Sequence, residues 1–413
     1  MTRWALATGL SAAALLSSGC QVRGLIGSNE SATTDDAEAD SGDAADAVGQ
    51  SSDGVDTAAS SAASGGEDSA ASASGGGTTG TADDESTSDM PTDPAPLFDV
   101  APDDDPNLCA PPTFPSCDGN DGATWYQALG LGCSDIDESV FAHTGELGSM
   151  IVHEGRMGGE ASPFAPREGE RFVILSTGRA AEVPMTPEEL SALHPLECDD
   201  PQQCPSSDLG GALRDFLPEP LTPRRVHDEL DCIDAPLLVG EGDCSNSLAE
   251  HWAQGEGAYD YVELRMRTQV PPHTDALSFD FAFFSSEYPL YTEHGVLTPY
   301  NDMYIAWLES ESWTGNVSFD DEMNPITVQS VFLDYRSPSA DCPDCDAPEL
   351  EGFSMQHHAG TKWLTTKAPV KAEETIELVF ALFDLTDSVF DSVVVLDNFD
   401  WTCSGGRPIT TEG

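Results

Sequence analysis

Two short stretches of this chain concentrate hard oxygen donors. Phe284-Ser285-Ser286-Glu287-Tyr288-Pro289 leads on to Asn301-Asp302, and Asp384-Leu385-Thr386-Asp387-Ser388-Val389-Phe390-Asp391-Ser392 follows later. Each closes an apolar run. Loops that gather carboxylate and amide oxygens suit calcium, which takes six to eight oxygen ligands in loose geometry and needs no soft donor. Glu287, Asn301, Asp302, Asp384, Asp387 and Asp391 are therefore the expected ligands of a Ca2+ ion. Bringing them together without a cation would cost mutual repulsion that a divalent ion converts into binding. The competing duty of Asp and Asn in loops is to cap turns by hydrogen-bonding backbone.

Other chemistry has less support. Glu287 with Asp302 or Asp387 has the residue types of a glycosidase pair, one acid and one base or nucleophile. Gly352-Phe353-Ser354-Met355-Gln356 lacks the second glycine of a nucleophile elbow. The histidines form no His-Glu-x-x-His, and neighbours such as His357 and His358 would point to opposite faces of a strand. Trp252, Tyr291, Tyr300 and Trp313 have the rings for a sugar-stacking platform, although packing is the commoner fate of such residues. No residue is assigned a catalytic role.

The elements that must position these loops read as strands. Leu277 to Phe283 alternates strictly, with Leu277, Phe279, Phe281 and Phe283 on one face. Thr375 to Phe383 alternates and then turns apolar throughout, as an interior strand does. Further strands are expected at Arg171 to Ser176, Tyr259 to Met266, Met303 to Leu308, Thr327 to Leu333 and Ser392 to Trp401. Helical signals are few: one short helix within Asp121 to Leu131, and a capped start at Thr186-Pro187. Many short strands without regular helices predict an all-β fold, an antiparallel β-sandwich of jelly-roll-like form. Pro184 to Asn246, rich in proline and carrying four cysteines, reads as an irregular insertion or edge cover.

A formal charge of −58 on 413 residues argues against nucleic acid as a partner, because phosphate binding needs the opposite sign. Gln21 to Pro106 is Ala, Ser, Gly, Thr and Asp with Arg23 as its only base. Such a segment buries too little apolar surface to offset its ordering entropy, so it is expected to be a disordered acidic tether. A flexible coil of about eighty residues would reach on the order of 50 Å.

Ahead of the tether, Met1-Thr2-Arg3-Trp4 and the apolar run Ala5 to Leu16 read as a secretory signal, too short to span a membrane. Leu16-Ser17-Ser18-Gly19-Cys20 resembles a bacterial lipobox, with Ser17 where an aliphatic residue is usual. The resemblance implies cleavage before Cys20 and a lipid on it, hence attachment to a membrane, with an ordinary cleaved signal as the alternative. Gln21 carries no aspartate retention signal, which favours the outer membrane or cell surface. Without Cys20, ten cysteines remain: Cys109, Cys117, Cys133, Cys198, Cys204, Cys232, Cys244, Cys342, Cys345 and Cys403. An even set in an exported chain predicts as many as five disulfides. Short loops favour Cys198 with Cys204 and Cys342 with Cys345.

Beyond the tether, an ordered string of motifs resembles the choice-of-anchor L domain family of bacterial surface and secreted proteins. It runs from Ala123-Thr124-Trp125-Tyr126-Gln127-Ala128-Leu129-Gly130 and Val173-Ile174-Leu175-Ser176-Thr177-Gly178 through Phe281 to Pro289 and Tyr300-Asn301-Asp302. It ends in Asn316-Val317-Ser318-Phe319, Thr361 to Thr366 and Phe383 to Phe399. The resemblance implies an exported domain with a variable attachment device and no established catalysis. The expected organisation is a signal (1–19), a linker (20–106), the sandwich domain (107–403) and a short polar tail (404–413). The function so read is a lipid-anchored, non-catalytic module that binds or adheres to an extracellular protein or glycan. The alternative is a secreted carbohydrate-active module.

Overall fold

The computed structural model describes residues 109–131, 141–195, 209, 211–221, 247–289, 300–340, 342–403 and 406–413. All of these fall within one compact unit, Pro91–Gly413. The signal, Cys20, the tether, Tyr291, and Cys133, Cys198, Cys204, Cys232 and Cys244 lie outside the described residues.

In chain order the described strands are β1 (Phe141–Thr144), β2 (Met150–Glu154), β3 (Arg171–Ser176), β4 (Ala258–Gln269), β5 (Ala276–Ser285), β6 (Met303–Glu309) and β7 (Thr314–Asn316). Then come β8 (Ile326–Thr327), β9 (Tyr335–Arg336), β10 (Ala359–Gly360), β11 (Leu364–Pro369), β12 (Thr375–Leu385), β13 (Ser392–Thr402) and β14 (Ile409–Glu412). They form two antiparallel sheets. The first has the order β1-β4-β12-β6-β7, with β8 also paired to β6. The second has the order β14-β11-β5-β13-β3-β2, with β10 joining β5 to β9.

The core follows from the alternation of β5. Leu277, Phe279, Phe281 and Phe283 face Ile376, Leu378, Phe380 and Leu382 of β12 and Val262, Leu264 and Met266 of β4 in one buried cluster. Phe279 meets Phe380 edge-on with ring centroids 4.9 Å apart, and the Phe281 ring centroid lies 4.7 Å from that of Tyr304 of β6. Burying each such ring contributes about 2 kcal/mol. The outer faces are covered too. Phe172, Ile174, Phe284, Val393 and Val395 pack beneath Phe164, Phe353 and Trp363. Tyr261, Ile305, Trp307, Val379 and Phe383 pack beneath Leu217, Leu221 and Leu248. Double coverage explains the continuous apolar run at the end of β12, which lies between β4 and β6. Within the Pro184 to Asn246 stretch, Leu217 and Leu221 cover a sheet face, while Arg214 pairs its backbone with Ala258 of β4.

Helices are short. Thr124 caps α1 (Trp125–Ala128) in a reciprocal box with Gln127, and Thr186 caps α2 (Pro187–Leu193) the same way with Glu189, with Pro187 in the first turn. A third, α3 (Ser247–Trp252), precedes β4.

Two elements differ from expectation. Thr327 to Leu333 is not a strand beyond β8. Thr327 Oγ1 accepts the Gln329 N–H at 3.1 Å and Asp320 Oδ2 accepts the Val331 N–H at 3.1 Å, so side chains take the backbone groups a ladder would use. Residues 404–413 are not merely a tail, because β14 pairs with β11 from Leu364↔Glu412 to Lys367↔Ile409.

β5 and β13 define two poles. Ala276 faces Thr402 at one end and Ser285 faces Ser392 at the other, and ten residues of strand cover about 30 Å. At the first pole Cys109 is bonded to Cys403 across a sequence separation of 294. The Ala110 N–H adds a 2.7 Å bond to the His273 carbonyl there. Cys342 and Cys345 are bonded as expected, within one local turn, while Cys117 keeps a free thiol.

Candidate cation site at the second pole

The topology brings the two acidic stretches together. Asp384 is near the end of β12 and Asn301-Asp302 precede β6, so these belong to the first sheet. Glu287 follows β5 and Asp391 precedes β13, so these belong to the second. The register between β12 and β4 slips between Leu382↔Val262 and Asp384↔Tyr259, which puts a bulge in β4 at this level. Asp260 in that bulge has a φ of 47°. A bulge re-aims the side chains around it, and Asp260 becomes a further charge near Asp384.

Hydrogen bonds tie the loops to one another. Ser392 Oγ donates to Asp302 Oδ2 at 2.7 Å, crossing from one sheet to the other, and the Leu385 N–H donates to Asp302 Oδ1 at 3.2 Å. The Ser286 N–H and Oγ both donate to the Asp391 carbonyl, at 3.0 and 2.6 Å. The Ser392 N–H donates to Thr177 Oγ1 at 2.9 Å. Tyr288 Oη donates to the Ser337 carbonyl at 2.8 Å, and its own carbonyl lies 2.9 Å from His358 Nδ1.

What distinguishes this pole is unmet oxygen. Glu287, Asn301, Asp302, Asp384 and Asp391 are all buried, with Asp384 only 1% exposed. Both carboxylate oxygens of Asp384, Glu287 Oε2 and Asn301 Oδ1 have no hydrogen-bond partner among the described residues. Nor do Glu287, Asp302, Asp384 or Asp387 form an ion pair among the described residues. Asp280 and Glu263, buried elsewhere, are satisfied, whereas the half-buried Glu168 also has an Oε2 without a partner among the described residues. Asp280 takes Arg167 Nε at 2.9 Å and Thr365 Oγ1 at 2.5 Å, and Glu263 takes Tyr261 Oη at 2.6 Å and Arg265 Nη2 at 3.0 Å.

The electrostatics follow. Burial, with the charges of Asp302 and Asp387, pushes the Glu287 carboxyl up to about 10. Burial pushes Asp302 up to about 7 against the bonds from Ser392 and Leu385. Burial and the charges of Asp302 and Asp391 drive Asp384 well above the usual carboxylate range, opposed by the nearby Thr177 hydroxyl, whose hydrogen bonds go to Ser392. Each group resists ionisation first because it is buried, and neighbouring acids add to the shift at Glu287 and Asp384. His358, fully buried beside this loop, is pushed down to about 4 by burial and stays neutral.

The six sequence-predicted residues thus share one pole, with different roles. Asp387 is half-buried and its Oδ1 accepts the Val389 N–H at 3.1 Å, the ordinary turn-capping duty. The acids stand apart from a closed coordination shell. Among the described residues, only Cys109, Asp275 and Cys403 place three Asp, Glu, His or Cys donor atoms within 4.8 Å of one another, and two of these form the disulfide. Asp260 was missed by sequence reading, because nothing in Tyr259-Asp260-Tyr261 announces a bulge. The aromatic platform does not assemble from Trp313, which is buried with Nε1 donating to the Asn316 carbonyl at 3.1 Å.

Comparison with known proteins bears on the same strands. Residues 246–400 match the family model described as the Choice-of-anchor L domain. No curated protein matches the chain, and no solved structure matches it either. The matched stretch runs from α3 to β13 and contains every acid of the second pole. A domain of this kind marks a bacterial surface-associated protein, exported or held at the cell surface. Over residues 246–400 this chain is similar to the Choice-of-anchor L domain family.

Proposed function

We propose that the chain is an exported, membrane-tied surface protein that holds a rigid, non-catalytic β-sandwich on an acidic tether and offers its far pole to an extracellular protein or glycan. The observation that carries this reading is the position of Cys109–Cys403. The chain enters the sandwich at Cys109, and the disulfide fastens that point to the residue following β13. Tension arriving along a tether would pass through a covalent bond into the interior strand β13 instead of peeling an edge. The acid cluster lies at the opposite ends of β5 and β13, on the side away from the point of attachment.

A glycosidase reading fits the same residues less well. Glu287 and Asp302 are only 2% and 1% exposed, so a sugar ring has no access to the pair. Lipid on Cys20 supplies the anchor in this account, and the lipobox-like Leu16 to Cys20 supports it.

Fractionation of cells producing the full chain tests the reading, with protease added to intact cells. The native chain is expected in the membrane fraction and open to the protease, and Cys20→Ser is expected to be released from the membrane. Retention of both chains in the cytosol, with Cys109 and Cys403 reduced, would overturn it. A glycan array then separates the two ligand classes: selective sugar binding favours glycan, and a cell-surface protein ligand bound without sugar dependence favours protein.

A further inference from the structure

The second pole contains a defect that hydrogen bonding inside the protein does not repair. Four buried oxygens, two from Asp384 and one each from Glu287 and Asn301, have no partner among the described residues. An unpaired buried polar atom ordinarily costs the full loss of its hydration, and three of these four belong to carboxylates near other acids. Asn301 matters separately from the charge. Its amide oxygen is neutral, so its burial without a donor is not a by-product of acidic composition, and it directly precedes Asp302.

These oxygens come from both sheets. Asp384 and Asn301 belong to β12 and the approach to β6, and Glu287 to the exit from β5. All donors are oxygen, with no cysteine among them. Oxygen donors select a hard cation over zinc, which prefers nitrogen and sulfur, and carboxylate and amide oxygens from separate strand ends suit the flexible coordination of calcium better than the near-ideal octahedron of magnesium.

We propose that the pole opposite the disulfide is a calcium site in which Asp384, Glu287 and Asn301 supply oxygens, Asp302 and Asp391 add negative charge, and the ion braces one sheet against the other. Asp387, at the half-buried rim, completes the shell directly or through water. The proposal goes beyond surface display and stands independently of it: an ion can brace this pole wherever the chain resides.

The test is thermal unfolding of the full mature chain in chelator and in rising calcium at about 0.1 M salt, which screens weak binding along the tether. The native chain is compared with Asp384→Asn, Glu287→Gln and the exposed control Glu160→Gln. Saturating calcium is expected to raise the midpoint by about 5 °C or more in the native chain and in Glu160→Gln. Asp384→Asn and Glu287→Gln are expected to lose that rise, and in chelator to unfold at or above the native midpoint because each removes repulsion. No rise in the native chain overturns the proposal, as does a full rise retained in both site variants. So does a pair of site variants that unfold well below the native chain in chelator, because the acids would then be structural hydrogen-bonding groups. If Asp384→Asn fails to fold, Glu287→Gln decides.

Discussion

The two poles of the sandwich solve one problem by different chemistry. Where the chain enters, the strands are closed by a covalent bond between residues 294 apart in sequence, with the neighbouring backbone paired. At the other end the strands finish in an acid cluster where both oxygens of Asp384 and one of Glu287 lack partners among the described residues. The first pole is permanent in an oxidising compartment. The second is conditional on what neutralises it. On the proposed reading, such a domain is firm at the disulfide and responsive at the acid pole.

The largest effect that would sharpen this contrast is loss of the disulfide. Closing a loop this long restricts the unfolded chain by on the order of 5 kcal/mol. Cys109→Ser combined with Cys403→Ser is therefore expected to lower the urea midpoint strongly while leaving calcium stabilisation of the other pole intact. A loss below about 1 kcal/mol in the fitted unfolding free energy would show that the clamp does not govern stability.

Ser392→Ala comes next. It deletes the 2.7 Å bond that crosses the sheets to Asp302, and a bond to a charged group contributes about 2 kcal/mol. Urea unfolding with and without calcium should show the larger loss in chelator, where that bond is a main tie between the sheets at this pole. An equal loss in both conditions would break the link between Asp302 and the ion.

The local bridge is expected to matter least of the three. Cys342 and Cys345 close only one turn, so replacing both with serine should cost about 2 kcal/mol or less. A loss matching that of Cys109–Cys403 would contradict the chain-entropy explanation of the clamp.

Acidity supplies a further test with a definite sign. Asp302 and Asp397 titrate near 7 in the folded chain, both raised chiefly by burial, above about 4 when unfolded. Their contribution is complete below the unfolded value and is lost as pH rises through about 7. His358 has the opposite sense: with a folded value of about 4, it costs stability as pH falls below about 6.5. Between pH 6.5 and 8 only the carboxyl side acts, so the midpoint in chelator should fall. Calcium should shrink that fall by replacing protons at Asp302, leaving the part due to Asp397. A midpoint that rises with pH in chelator would contradict the buried-acid account.

Much of the frame was legible in the sequence because β5 alternates without a break and β12 turns apolar where both its faces are covered. The two acidic stretches were legible as well, since carboxylates at the ends of apolar runs belong in turns at strand ends. That they meet could only be expected, because the meeting depends on which strands share a sheet. Asp260 was hidden by a register slip that has no signature in residue types. Thr327 to Leu333 has strand-like composition, yet Asp320, several residues upstream, captures its backbone. The partner of Cys109 was hidden by distance along the chain, and β14 by its shortness and polarity.

The most direct measurement of the central claim is amide hydrogen exchange of the full mature chain with and without calcium. The account predicts slower exchange at Ser285 to Glu287, Asp302 and Leu385 to Ser392, with no change at Ala110 and Thr402 beside the disulfide. Calcium that leaves exchange at the acid pole unaltered, or slows both poles alike, would contradict it.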